Sequence, residues 1–211
     1  MTPTHADPSV PPVRVAADRP FSATGLALIA VFVGIIAALG LVPAVAIPWV
    51  GVPLTLQTLG VMLAGAVLGR WRGTAAVLVF LVLVAMGLPL LAGGRGGLGV
   101  FFGPSVGFLV GFPVAAFVIG WLTERFHTSR SLPGAIAVNL IGGIVMLYAF
   151  GIAGMAIVLH LSPLQAGTAA LVFLPGDVAK AVAAALVARG VHQAMPGLLP
   201  VPRADREPVG V

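Results

Sequence analysis

The chain is 211 residues long, with 59% hydrophobic and only 8% charged residues, which excludes a water-soluble globular fold because too little polar surface remains to cover it. It contains no cysteine, which excludes a disulfide framework, a thiolate metal site and a thiol nucleophile. The formal net charge of +5 at pH 7 would suggest a nucleic-acid partner in a soluble protein, but in a membrane protein the basic residues must first be placed relative to the bilayer.

A flexible polar leader is predicted over residues 1–22, because charged residues alternate there with Pro and Ser. A cleaved signal peptide is not expected, since more membrane sequence follows the leader in place of a small-residue cleavage site and a soluble domain. The membrane domain is predicted to cover residues 23–191. A polar tail, residues 192–211, is predicted to follow it.

The hydrophobic runs predict an all-α integral membrane protein, a bundle of six transmembrane helices. No charged side chain occurs between Arg19 and Arg70, yet Gly40 and several prolines interrupt this run, so two helices are predicted there. A turn at residues 70–72 is predicted to separate the second helix from the third. In chain order the predicted helices are residues 24–41, 54–69, 73–88, 104–122, 133–161 and 175–189.

Some predicted segments are short for a membrane span. Residues 165–173 are apolar but too few to cross, so they are interpreted as a re-entrant or interfacial segment. The second and third predicted helices also fall below the usual ~20 residues. A re-entrant hairpin therefore stays open as an alternative to two full spans over residues 54–88.

The distribution of basic residues predicts the orientation in the membrane, because cytoplasmic connections collect Lys and Arg. With six spans, the outward loops hold only Arg95, and both termini are expected to be cytoplasmic. This topology explains the excess positive charge without nucleic acid. The basic residues on the predicted cytoplasmic side are Arg14, Arg19, Arg70, Arg72, Arg125, Arg130, Arg189, Arg203 and Arg206.

Asp177 and Lys180 are the ionisable residues within the predicted spans that demand an explanation. They are three positions apart and therefore share one helix face. Placing either near the bilayer centre costs about 2.5 to 3.5 kcal/mol on translocon scales, and such residues usually mark a functional site. The alternative is an intrahelical ion pair that neutralises itself or fixes helix packing.

A glycine-rich loop, residues 92–99, is predicted to face the same outward side as Asp177 and Lys180. It carries Arg95, and its Gly93 and Gly94 permit close backbone approach to a ligand. For Arg95 a solvated loop charge stays open as an alternative.

The first outward loop is predicted to add Trp49, Thr55 and Gln57 to this site. For Gln57, helix capping stays open as an alternative to ligand binding. Cationic, anionic and amide groups between apolar walls suit a small amphipathic acid that has its own hydrogen-bonding head.

Five short sequence blocks follow one another along the chain: VPLTLQTL at residues 52–59, GLP at 87–89, AGGRGGLG at 92–99, GPS at 103–105 and FLPGDVAK at 173–180. These blocks resemble the BioY family of biotin-binding subunits, and they occur in the family's order over about residues 24–190. Ser105 and Val106 depart from the Thr-Gly that more usually follows Gly-Pro in that family.

The resemblance implies a six-helix substrate-capture (S) component of an energy-coupling factor (ECF) transporter in a prokaryotic cell membrane. Such a subunit is expected to bind biotin from the outside and to work with a transmembrane coupling protein and paired ATPases. The Asp and Lys of the last block correspond to Asp177 and Lys180, which the family uses in its biotin pocket together with its glycine-rich loop. Biotin is then the transported ligand, and this chain itself holds no cofactor.

The first predicted helix carries Ala30, Gly34 and Ala38 at four-residue spacing, which makes a groove for close helix approach. This pattern alone is equally compatible with packing inside the bundle and with docking of a partner. The family's use of this helix to contact its coupling subunit favours docking.

Nucleotide chemistry is not expected in this chain, because it has no G-x-x-x-x-G-K-[ST] loop for phosphates. Residues 94–99 match G-x-G-x-x-G, but neither a strand before them nor a helix directly after them is predicted, so dinucleotide binding is not expected. ATP is expected to be used only by partner subunits.

Two alternatives remain from the sequence. One is an S component for another vitamin, or a solitary carrier. The other is an intramembrane serine hydrolase, because residues 103–107 fit G-x-S-x-G around Ser105 and His160 lies at the outward end of the fifth predicted helix. A zinc site is not expected, since the four histidines lack H-E-x-x-H spacing.

Overall fold

The computed structural model describes residues 21–48, 50–127, 131–195 and 197–199. Trp49, Arg130 and most of the two predicted polar tails lie outside these residues. Within them the protein is helical, and five helical stretches are long and apolar enough to cross a membrane. These stretches are Ala23–Gly40, Gln57–Ala85, Val106–Phe126, Leu132–Val158 and Pro163–Ala194.

The first helix, α1 (Ala23–Gly40), has one packed face and one open face. It begins after Ser22, whose side-chain oxygen accepts a hydrogen bond from the Gly25 amide at 3.2 Å. Ile29, Phe32, Val33 and Ile36 are buried against the rest of the bundle. On the other side, the small residues Ala30, Gly34 and Ala38 are exposed.

The second helical stretch, α2 (Gln57–Ala85), reverses direction at Gly69, where φ is 80° and ψ is −178°. In an uninterrupted helix Gln57 and Ala85 would lie about 42 Å apart at 1.5 Å per residue. Instead, Gln57 Nε2 donates to the Leu90 carbonyl at 2.9 Å, so the two ends of the stretch lie together. The two helices predicted at residues 54–69 and 73–88 are therefore the arms of a tight hairpin.

The predicted turn at residues 70–72 is wrong by one residue, because the reversal falls on Gly69 and these residues begin the second arm. A side chain is strained at the positive φ of Gly69. The arms also lie unusually close, since a Cβ on Gly73 would overlap the Ala64 carbonyl. The hairpin is therefore sterically possible because both positions are glycine.

The third helix, α3 (Val106–Phe126), packs closely on both sides through small residues. A Cβ on Gly120 would overlap the backbone of Gly69 in α2. On the opposite side, a Cβ on Gly107 would overlap the Phe150 carbonyl oxygen and lie 2.9 Å from Gly154 Cα. Backbone approach of this kind is the usual device by which helices associate in lipid.

The fifth predicted helix is divided into α4 (Leu132–Leu140), a π-helical turn (Ile141–Met146) and α5 (Leu147–Val158). The π turn contains Gly142 and Gly143, which lie against Ile119 and Met62. It ends two residues before Tyr148 and so sets the rotation of α5 about its axis.

The last helical stretch begins before the last predicted helix, residues 175–189. It comprises α6 (Pro163–Ala170), a 3₁₀ turn (Leu171–Phe173) and α7 (Leu174–Ala194). Residues 165–173, predicted as a re-entrant or interfacial segment, are helical and run directly into α7. Ser162 and Gln165 form a capping box at the start of α6.

The close approach at Gly107 generates a test of the packing. We expect G107A to lower the free energy of unfolding by about 1–3 kcal/mol, because the added methyl group overlaps α5. Gly190 is the matched control, since a Cβ there meets no atom within 4 Å and G190A should be neutral or slightly stabilising. Thermal unfolding of the detergent-purified variants measures the difference. Equal melting temperatures would contradict this packing.

Candidate functional site

Asp177 and Lys180 form a buried ion pair near the start of α7. Lys180 Nζ lies 2.8 Å from Asp177 Oδ1, and the side chains of Lys180 and Asp177 are only 7% and 5% exposed, respectively. The helical spacing of three residues brings them to the same face, as the sequence predicts.

Side chains of two other helical stretches, and the backbone just before α2, complete the hydrogen bonding of this pair. Tyr148 Oη in α5 donates to Asp177 Oδ2 at 2.8 Å. Thr58 Oγ1 in α2 donates to Asp177 Oδ1 at 3.3 Å and accepts from Lys180 Nζ at 3.1 Å. Lys180 Nζ also donates to the Thr55 carbonyl at 2.6 Å. Both charges are therefore compensated, which a low-dielectric interior demands.

A cavity lies beside the ion pair, between α2, α3, α5 and α7. Asp177, Lys180, Gln57 and Arg95 all line it, so the structure brings these four predicted site residues together. The remaining walls are mainly apolar and aromatic, as in most small-molecule sites. The principal apolar lining residues are Leu91, Phe108, Leu109, Phe112, Leu147 and Phe173.

Gly93 and Gly94 lie outside the cavity lining, on the exposed side of the glycine-rich loop. Their φ values are 79° and 69°, so both occupy the left-handed region that favours glycine. They let the loop turn back so that Leu91 and Arg95 pair through two backbone hydrogen bonds of 3.0 and 3.2 Å. Trp49, the aromatic residue that the sequence predicts at this site, is outside the described residues.

Gln57 holds the glycine-rich segment against α2. Its Nε2 donates to the Leu90 carbonyl at 2.9 Å, and its Oε1 accepts from the Ala92 amide at 3.0 Å. The side chain is almost completely buried, with 2% of its surface exposed. Its amide therefore positions the loop that carries Arg95.

Tyr148 and Thr58 are site residues that the sequence reasoning missed. Tyr148 is the only tyrosine in the chain and lies in an otherwise apolar helix, which is a signal that could have been used. Thr58 directly follows Gln57 within a block already singled out.

Ser105 also lines the cavity, with 8% of its surface exposed. Among the described residues its hydroxyl has no hydrogen-bond partner, so no base activates it. His160 is exposed after the end of α5. The G-x-S-x-G spacing instead reflects packing, since Gly107 is needed for contact with Gly154.

A second polar cluster lies at the opposite end of the bundle. Arg70 Nε lies 3.2 Å from Glu124 Oε2, and the Arg72 guanidinium donates to the Leu198 carbonyl. His192 Nε2 lies 3.1 Å from the Val67 carbonyl. Over the described ranges, no group of three or more His, Asp or Glu residues could hold a metal ion.

Comparison with known proteins shows one consistent family. A family model described as the BioY family matches residues 13–197. The biotin transporter BioY of Rhizobium etli is 50% identical over 184 residues, which cover 85% of this chain and 98% of that protein. The biotin transporter BioY of Rhodobacter capsulatus is 51% identical over 184 residues, or 82% of this chain and 95% of that one.

A solved structure agrees with these relatives. The crystal structure of the S-component for biotin from an ECF-type ABC transporter superposes with a TM-score of 0.77. Its sequence is 31% identical, and the match covers 80% of this chain and 90% of that chain.

The ion pair generates a test of its energetic coupling. We expect K180M to destabilise the protein by about 3–5 kcal/mol, because it leaves the Asp177 carboxylate buried without a cation. The double variant D177N/K180M removes both charges and should be the more stable of the two. Thermal unfolding without ligand measures both. Equal or greater destabilisation in the double variant would contradict the coupling.

Proposed function

The chain belongs to the BioY family, and we propose that it is the membrane-embedded subunit that binds biotin from the outside for delivery inward. Its relatives are transporters, so the serine hydrolase alternative is set aside. The observation that carries the proposal is the buried ion pair of Asp177 and Lys180, which opens onto a cavity with apolar and aromatic walls.

Biotin has a ureido head with two N–H donors and one carbonyl acceptor, a thioether ring and a carboxylate tail. Asp177 accepts hydrogen bonds from the ureido N–H groups, and Lys180 or Arg95 engages an acceptor of the ligand. Because Lys180 Nζ is 2.8 Å from Asp177 Oδ1, both members of the pair meet the same end of the ligand. Phe108, Phe112 and their neighbours enclose the ring.

Ligand entry exchanges one set of hydrogen bonds for another. Tyr148 and Thr58 each donate a hydrogen bond to the Asp177 carboxylate. The ureido N–H groups replace part of this set, so the carboxylate is never left without donors. These hydrogen bonds hold the side chains of the site in place, which limits the ordering cost of binding.

The two arms of α2 support the proposal of six membrane passes with both termini in the cytoplasm. The reversal at Gly69 places Arg70 and Arg72 at the end of the bundle that also holds Glu124 and His192. The cavity and Arg95 are at the other end. Since basic connections stay in the cytoplasm, the cavity faces outward.

The open face of α1 is the proposed docking surface for the coupling protein. Ala30, Gly34 and Ala38 are exposed on it, and a Cβ on Gly34 would meet no atom of the bundle within 4 Å. A partner helix can therefore approach closely without disturbing the cavity. Coupling to ATP hydrolysis is supplied by paired ATPase subunits of the ECF module.

Ligand identity is tested by thermal shift of the purified protein with biotin, thiamine or riboflavin. Biotin at a free concentration of 100 times its dissociation constant should raise the free energy of unfolding by about 2.7 kcal/mol. D177N should weaken biotin binding by about 1.5–3 kcal/mol, because a charge-assisted hydrogen bond is lost. A response to another vitamin and none to biotin would assign this chain to a different substrate.

Docking is tested by capture of the coupling protein on immobilised variants. G34L should reduce capture strongly, because its side chain fills the groove on α1, and should leave biotin affinity unchanged. G190L adds the same side chain at a similarly open position of α7 and should capture normally. Equal capture by both variants would place the docking surface elsewhere.

A further inference from the structure

The second arm of α2 and the helix α3 present one exposed apolar face, far from the cavity. Along α2, Trp71, Leu78 and Val82 are exposed at spacings of seven and four residues, so they share one side of the helix. Along α3, Phe117 and the exposed Trp121 are one turn apart. The Trp71 ring meets the Phe117 ring edge-on, with 5.6 Å between centroids, and so joins the two helices into one surface. We call this surface the α2–α3 face.

Two arginines lie at the edge of the α2–α3 face. The Arg70 guanidinium carbon Cζ lies 5.7 Å from the centroid of the Trp71 ring. The Arg70 side chain is 39% exposed although its Nε lies 3.2 Å from Glu124 Oε2. Arg125 is also exposed, and it follows Trp121 by one helical turn. An apolar face that ends in cations and indole rings is typical of a segment crossing from acyl chains to the headgroup region of a bilayer.

The charges at this end of the bundle favour an anion. Within the part of the chain that the structure describes, Glu124 is the only carboxylate here, since Asp177 lies at the cavity. The same end holds Arg70, Arg72 and Arg125, so positive charge is in excess. Anionic lipids of the cytoplasmic leaflet are attracted to basic residues at this depth. A zwitterionic lipid brings a cation of its own and compensates the arginines less well.

We propose that the α2–α3 face binds an anionic phospholipid of the cytoplasmic leaflet, with the headgroup phosphate against Arg70 and Arg125. The acyl chains lie along the rings of Trp71, Phe117 and Trp121. This inference takes its leaflet from the orientation given with the proposed function, and it adds a lipid site on a surface that biotin does not reach. The lipid bridges the α2 hairpin and α3 where the hairpin reverses.

The test uses tryptophan fluorescence of the full chain in vesicles, because bromine atoms on acyl chains quench the tryptophans that they touch. The protein carries W49F, so the signal comes from Trp71 and Trp121. The vesicles contain equal amounts of phosphatidylcholine and phosphatidylglycerol, and one of the two lipids is brominated at a time. At low ionic strength we expect phosphatidylglycerol to be enriched about tenfold at these rings, and the enrichment to fall at high salt.

The contribution of the cations is measured in the same W49F background. R125Q should lower the enrichment about fivefold, as for loss of one basic residue beside an anionic membrane surface. R125K should retain it. R189Q is the matched control, since it removes the same charge from α7, which packs on the first arm of α2, and it should keep the full enrichment.

Equal quenching by the two brominated lipids, or equal losses in R125Q and R189Q, overturns the lipid site. Biotin affinity in the same vesicles is an independent measurement, because R125Q leaves the cavity intact. Lipid enrichment without biotin binding would contradict the proposed function alone, and biotin binding without enrichment would contradict the lipid site alone.

Discussion

The ion pair between Asp177 and Lys180 is the constraint on which the rest of the site depends. Neither charge can be buried in a membrane protein without compensation, because an unpaired ion costs several kcal/mol in a low-dielectric medium. Compensation comes from Tyr148 and Thr58, which lie on α5 and α2. The pair therefore ties three helical stretches together where the cavity opens.

Close backbone contacts at glycine residues allow these helical stretches to meet at the cavity. The reversal at Gly69 folds α2 into a hairpin, so that Gln57 and the segment after Ala85 meet at one end. Gly107 brings α3 against α5 and so places its N-terminus at the cavity. Close backbone packing, rather than large side chains, thus leaves space for a ligand between the helices.

The sequence predicts those site residues whose presence in an apolar segment costs free energy. Asp177 and Lys180 are recognisable because charge within an apolar run is expensive, and the helix period places them together. Tyr148 and Thr58 were missed because their role depends on pairing across helices far apart in sequence. The sequence also does not predict that α2 continues past Gly69 or that α6 runs into α7. Whether two short apolar helices join depends on how they pack against the rest of the bundle, and the local sequence does not show this.

The most direct test of the central claim uses the fact that Lys180 is the only lysine in the chain. A water-soluble amine-acylating reagent can be applied with and without biotin, and modification of Lys180 can be followed by peptide mass spectrometry. If the ion pair binds the vitamin, the rate of modification falls in proportion to the unoccupied fraction. An unchanged rate at Lys180 while biotin is demonstrably bound would contradict the claim.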